Sequence, residues 1–136
     1  MTSRRDFLNM LPLSVLPALI LRPASAHGGG RIVHPDPRPG IDASEVMTGD
    51  RLAAFGEGTV EVYDMVREIP HIADGIGCSC GCSALPGYRS LLTCFYATGM
   101  AMGCVICQGQ ARLAYGRYQE GQSLEQIRRA SDARFG

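Results

Sequence analysis

From Ser44 onward, apolar residues recur every three or four positions, which is the spacing of one face of an α-helix. One helical stretch begins at Ser44, and a second covers residues 59–69 and is closed by Pro70. A short helix contains Cys94, and a longer one covers residues 104–119. The pattern therefore predicts a mostly helical domain.

The final helix has a start signal of its own. Ser123 is followed three residues later by Gln126, the capping-box pattern of a helix N-terminus. The face of this helix that is expected to pack on the core consists of Leu124, Ile127, Ser131 and Phe135.

Between the second and third helical stretches, residues 75–82 are rich in glycine and have no helical period, which predicts a loop. The helical domain, with this Gly/Cys-rich loop inside it, is expected to cover residues 44–136.

Two segments precede that domain. Residues 27–43 contain three consecutive glycines and three prolines at alternate positions, which predicts an extended, flexible and poorly packed leader. Residues 1–26 resemble a twin-arginine export signal, because Arg4 and Arg5 precede a short apolar stretch and Ala-Ser-Ala at residues 24–26 suits cleavage before His27. The apolar stretch is below the roughly 18 residues that a membrane span needs. We therefore expect a periplasmic or extracellular protein with no membrane span after cleavage.

Composition limits what the exported chain can do. Removal of residues 1–26 leaves 110 of the 136 residues, enough for one small domain with a modest core. Ten arginines and 12 acidic residues then remain, a net charge of about −2. This balance argues against nucleic acid or an anionic membrane as the partner.

All six cysteines lie within 30 residues of one another along the chain. They are Cys78, Cys80, Cys82, Cys94, Cys104 and Cys107. Thiolates are soft ligands that select Cu(I), Zn or iron-sulfur centres, and closely spaced pairs also carry out disulfide exchange. In an oxidising compartment free thiols pair unless a metal holds them, so both interpretations stay open.

The spacing of these cysteines favours a metal site. In an extended strand alternate side chains are about 6.6 Å apart, too far for the common disulfide Cβ separation of about 3.8 Å. Gly77 and Gly81 allow the CxCxC segment to curl around one ion. Cys104 and Cys107 are one helical turn apart on the apolar stripe and are expected to point inward with it. Four of these five thiolates would complete a tetrahedral site, and a Cu(I) cluster could share bridging sulfurs among five or six, with Cys94 as an auxiliary ligand.

Two other functions remain possible for the same residues. Cys104-Val-Ile-Cys107 has the spacing of a thiol-disulfide centre, so the chain could be a redox protein, and if it is an enzyme this is its expected class. Alternatively, the cysteines could staple an interaction domain, with 15 complete pairings allowed. No motif indicates a haem, nucleotide or flavin cofactor. The expected partners are a metal ion and a protein that exchanges metal or electrons with it.

The cysteine pattern resembles the PCYCGC-motif family of small exported bacterial proteins. The resemblance covers residues 69–135 and is carried by Cys78-Ser-Cys-Gly-Cys82, by the segment around Cys94, by Cys104-Val-Ile-Cys107 and by residues 121–128. It implies an exported cysteine-rich domain, and the description of some members as possible selenoproteins implies redox chemistry.

The chain departs from the pattern of that family at three points. Gly77 and Ser79 replace the proline and tyrosine that are common in the motif, and Met100 or Met102 stands where a histidine often precedes CxxC. Methionine suits Cu(I) and not Zn, which disfavours a Cys/His zinc site and adds the two methionines as candidate ligands. His71, just before the cysteine loop, is a further candidate.

Overall fold

The computed structural model describes residues 31–136, so the predicted signal and His27 lie outside the described residues. Six α-helices occur in this part of the chain. They are α1 (Asp50–Ala53), α2 (Glu57–Glu68), α3 (Pro70–Asp74), α4 (Leu91–Cys94), α5 (Val105–Gln119) and α6 (Leu124–Phe135). Short 3₁₀ turns cover Cys82–Ala84 and Ala101–Gly103. The prediction of a mostly helical domain is confirmed. Over residues 31–136, each helix is too short or too polar to cross a lipid bilayer.

Of the predicted helix boundaries near the start of the domain, the first is wrong and the second is confirmed. No helix begins at Ser44, because Val46 forms an isolated antiparallel bridge with Tyr96, and the first helix begins only at Asp50. The second helix does end before Pro70, since α2 stops at Glu68 and the backbone leaves the helical conformation at Ile69, where φ is −126°. The pattern did not predict that a further helix, α3, begins at Pro70. Proline suits this position because a first-turn N–H has no partner within the helix.

The core lies between α2, α5 and α6. Val62 and Val66 of α2 and Ala114 of α5 are fully buried, and so is Ile127 of α6. The capping box at Ser123 is formed as predicted, with Gln126 N–H donating to the Ser123 hydroxyl and the Gln126 side chain accepting from the Ser123 N–H. These contacts hold α5 in place as the scaffold for the two cysteines at its start.

The described part of the leader, residues 31–43, is extended but packs on the helical domain. Asp74 is completely buried, and its carboxylate accepts hydrogen bonds from the Arg38 guanidinium and from the Ser90 hydroxyl. Arg89 forms a second ion pair with it, at 3.0 Å. A buried carboxylate needs such partners because it has lost its water. Arg38 therefore ties the leader down, which differs from the poorly packed tether that the sequence predicted.

Candidate metal centre

Three segments bring the six cysteines together. The loop between α3 and α4 carries Cys78, Cys80 and Cys82, α4 ends at Cys94, and α5 has Cys104 at its N-cap and Cys107 in its first turn. The loop curls at Gly81, whose φ of 85° lies in the left-handed region that glycine adopts at little cost. The curl expected from the sequence is therefore present.

Four of these thiols form a buried group, which we call the inner set. It consists of Cys78, Cys82, Cys94 and Cys107. Their Sγ atoms all lie within 4.8 Å of one another, and the closest contacts are 3.2 Å between Cys82 and Cys94 and 3.3 Å between Cys78 and Cys107. A zinc-thiolate bond of about 2.3 Å places the sulfurs of a regular tetrahedron about 3.8 Å apart. The inner set is thus close to the size of a four-thiolate site.

Three thiols form a second group, the outer set, which consists of Cys80, Cys104 and Cys107. Their Sγ atoms also lie within 4.8 Å of one another, and Cys80 is 3.6 Å from Cys107. Cys80 and Cys104 are half-buried, in contrast to the inner set. Cys107 is common to both groups.

The other predicted ligands are placed unequally. The Sδ atom of Met100 lies 3.9 Å from Cys80 Sγ, so Met100 borders the outer set. Met102 packs against the core. Within residues 31–136, its sulfur makes no contact with a cysteine sulfur like the one that Met100 makes. His71 is exposed, with its ring edge-on to Tyr118 and outside both sets. Cys94, expected as an auxiliary ligand, belongs to the buried inner set.

The thiols of the inner set interact electrostatically. A hydrogen bond from Cys107 lowers the pKa of Cys78 far below that of an ordinary thiol. The same hydrogen bond raises the pKa of Cys107, and burial raises that of Cys82. Cys78 is therefore the thiol of the inner set that most readily loses its proton. A bound cation would replace the thiol protons, so metal binding would release protons to the solvent.

Tyr63 lies beside these cysteines with its ring 4.7 Å from that of Phe95. Burial raises the pKa of Tyr63 to about 12. Its hydroxyl is buried and has no hydrogen-bond partner among the described residues. Tyr63 therefore keeps its hydroxyl proton well above neutral pH, beside the thiols of the inner set.

Gln110 is a residue that the sequence did not single out. Its side chain is buried in α5, where Oε1 accepts from the Ser79 N–H at 2.9 Å and Nε2 donates to the Gly77 carbonyl at 3.2 Å. His34 of the leader accepts from the Gly77 N–H at 3.0 Å. The cysteine loop is thus held from two sides. The available signal was that Gln110 follows Cys107 by three residues, on the same face of the helix.

Comparisons with protein-family models, with curated proteins and with solved structures each return no match for this chain. Four buried thiols in one small volume are a donor set suited to a metal ion. The described residues thus form a small helical domain whose cysteine cluster can bind a metal.

Proposed function

We propose that the chain is an exported protein that binds and hands over a soft metal ion, Cu(I) or Zn. The observation that carries this proposal is the inner set, in which four buried Sγ atoms from three separate segments lie within 4.8 Å of one another. Buried cysteines also occur as small hydrophobic residues. Apolar packing alone, however, gives no reason for four thiols to meet at one point. Nor does it explain why the buried Gln110 side chain fixes the backbone of the loop that carries Cys78 and Cys82.

The ligand chemistry supports a soft ion. Both sets consist of cysteine alone, and no histidine or carboxylate of residues 31–136 belongs to either. Hard cations such as Mg²⁺ and Ca²⁺ prefer oxygen ligands, whereas thiolates select Cu(I), Zn and iron-sulfur centres. The adjacent thioether of Met100 favours Cu(I) over Zn.

Export is part of this proposal and is supported by the sequence alone. Arg4 and Arg5, with the small residues at 24–26, indicate a twin-arginine-type signal, a class that carries proteins already folded. A metal loaded before export would protect the thiols from pairing in the oxidising compartment outside. The resemblance to the PCYCGC-motif family agrees with an exported cysteine-rich domain.

A second candidate function is thiol-disulfide exchange by Cys104 and Cys107. Cys104 is the N-cap of α5, and its Sγ accepts from the Cys107 N–H at 3.4 Å. A helix N-terminus stabilises a thiolate, which is the attacking species in exchange. In this reaction the two thiols would lose two electrons and two protons to a partner disulfide, which would be reduced to two thiols.

One experiment separates these functions. The full chain is expressed in its host, and the form that the cell delivers is purified without reductant or chelator. Its metal content is then measured by elemental analysis and its free thiols by alkylation and intact mass. Copper or zinc at an integer ratio, with the cysteines unoxidised, is the expected result. A metal-free protein with three disulfides would contradict the proposal and favour a stapled domain. A metal-free protein with one disulfide between Cys104 and Cys107 would favour the redox function.

A further inference from the structure

The two cysteine sets differ in access to solvent. In the inner set, Cys94 and Cys107 are 0% exposed and Cys82 is 2% exposed. In the outer set, Cys80 and Cys104 are half-buried, and Val105 next to Cys104 is 83% exposed. An ion bound in the inner set would be enclosed by protein, whereas an ion in the outer set could be reached by an incoming ligand.

We propose that the six thiols form two metal sites that share Cys107, and that the outer site takes Cu(I) and exchanges it with the surroundings. The inner site holds its ion as a permanent part of the fold. This inference rests on the proposed function, because both sites require that the chain binds a soft metal. It divides that function between a structural ion and an exchangeable one.

Cys107 is placed to bridge the two sites. Its Sγ atom lies 3.3 Å from that of Cys78 in the inner set and 3.6 Å from that of Cys80 in the outer set. A thiolate sulfur has enough lone pairs to bind two ions at once, as in metal-thiolate clusters. With Cys107 shared, six cysteines supply four ligands to one ion and three to the other.

The ligands of the outer site point to Cu(I). Three thiolates satisfy this soft ion, and the Met100 sulfur, 3.9 Å from Cys80 Sγ, is a soft neighbour that can approach it. Zinc almost always takes four ligands in structural sites and does not use thioethers as a rule. The fourth ligand of a zinc ion here would have to be water. The four-thiolate inner site, by contrast, suits either Zn or Cu(I).

The test counts ions and measures how fast they leave. The reduced full chain is titrated anaerobically with Cu(I) against the chelator bicinchoninate, and the bound ions are counted by native mass spectrometry. Chelator in excess then extracts the metal from the loaded wild-type chain. We expect two phases, a fast one for the outer ion and a slow one for the inner ion. A single phase that removes all the metal would overturn the division into two sites.

Variants assign the two phases to residues. Cys104→Ser is expected to lose the fast ion and keep the slow one, and Cys94→Ser to lose the slow phase. Met100→Leu should weaken the outer site about tenfold, the scale on which neighbours of metal ligands act, while the matched Met102→Leu leaves it unchanged. Far-UV circular dichroism of the reduced, metal-free variants shows whether each one is folded. If Cys94→Ser does not fold, the two-phase extraction of metal from the wild-type chain still tests the proposal.

The remaining outcomes distinguish this inference from the proposed function. If Cys104→Ser and Cys94→Ser weaken every bound ion equally, the six thiols form one cooperative cluster, and only the two-site inference fails. If Zn²⁺ added in slight excess displaces the fast Cu(I), the assignment of the outer site to copper fails. If the reduced chain binds neither Cu(I) nor Zn²⁺, the proposed function itself fails.

Discussion

The backbone N–H of Ser79 donates a hydrogen bond across 2.9 Å to Oε1 of Gln110, a side chain buried in α5. The other end of the same amide donates to the Gly77 carbonyl and to the Ser131 hydroxyl of α6. One side chain therefore joins the cysteine loop to two helices. Because Cys78 lies between Gly77 and Ser79, this network fixes the first cysteine of the inner set.

Replacement of Gln110 by alanine should therefore loosen the cysteine loop. It leaves the Ser79 N–H and the Gly77 carbonyl without a partner, and unsatisfied buried polar groups should lower the free energy of unfolding by about 2 kcal/mol. Urea unfolding of the reduced, metal-free chain measures this loss. Gln119→Ala, at the exposed end of the same helix, is the matched control and should change it by less than about 0.5 kcal/mol. Equal losses in the two variants would contradict the role of Gln110.

A pair of glycines tests the curl of the CxCxC segment. Gly81 has a φ of 85° and an empty space where a Cβ would stand, so Gly81→Ala pays only for its backbone conformation, about 1–2 kcal/mol. Gly103 has equally open space but no positive φ. Gly103→Ala should therefore be neutral or stabilise the fold by up to about 1 kcal/mol. Thermal unfolding of both variants measures the two effects. If Gly81→Ala unfolds at the same temperature as the wild-type chain, the loop does not need the left-handed conformation at residue 81.

Asp74 should make the stability depend on pH in the acid range. Burial opposes ionisation of its carboxyl, but the hydrogen bonds from Arg38 and Ser90 outweigh burial and hold the pKa below the usual 3.8. Since the folded chain has the lower pKa, the contribution of Asp74 is complete above about pH 4 and is lost as the pH falls through 3.8 toward the folded value.

The substitution Asp74→Asn tests this contribution. At pH 7 it should lower the free energy of unfolding by about 2 kcal/mol, and the difference from wild type should shrink at pH 3. Asp64→Asn, which removes an exposed ion pair with Arg67, should cost less than about 1 kcal/mol at either pH. Urea midpoints at pH 7, 5 and 3 measure all three chains. A constant difference across this range would show that folding does not shift the pKa of Asp74.

Metal removal should destabilise the wild-type chain more than a chain without the inner set. An ion that binds only the folded state adds about 2.7 kcal/mol when its free concentration is 100 times the dissociation constant. The unfolding temperature of the reduced chain should therefore rise with Zn²⁺ or Cu(I) and fall again with chelator. In Cys82→Ser, which lacks one inner ligand, the rise should be smaller. If the unfolding temperature of Cys82→Ser rises as much as that of the wild-type chain, the stabilising ion does not bind in the inner set.

Much of the fold could be predicted from local signals. The helix from residue 105 and the last helix follow from hydrophobic spacing, and the Ser123 cap follows from a three-residue pattern, because each depends on neighbours along the chain. These local signals failed to predict the structure where a residue far away in the sequence determines the backbone conformation. The bridge from Val46 to Tyr96 replaces the helix expected at Ser44, since the hydrogen-bond partners of that segment lie about 50 residues away.

The sequence by itself determined which chemistry the site has, because six cysteines in a glycine-rich, helical context supply soft ligands wherever they meet. Only the tertiary structure decided how they divide. It placed Cys94 in the buried set, put Cys107 between the two sets and left His71 outside both. It also showed that Gln110 holds the cysteine loop and that Asp74 ties down the leader through Arg38. The reason is physical: a ligand set depends on distances between segments, and those distances are set by packing of the whole core rather than by any local pattern.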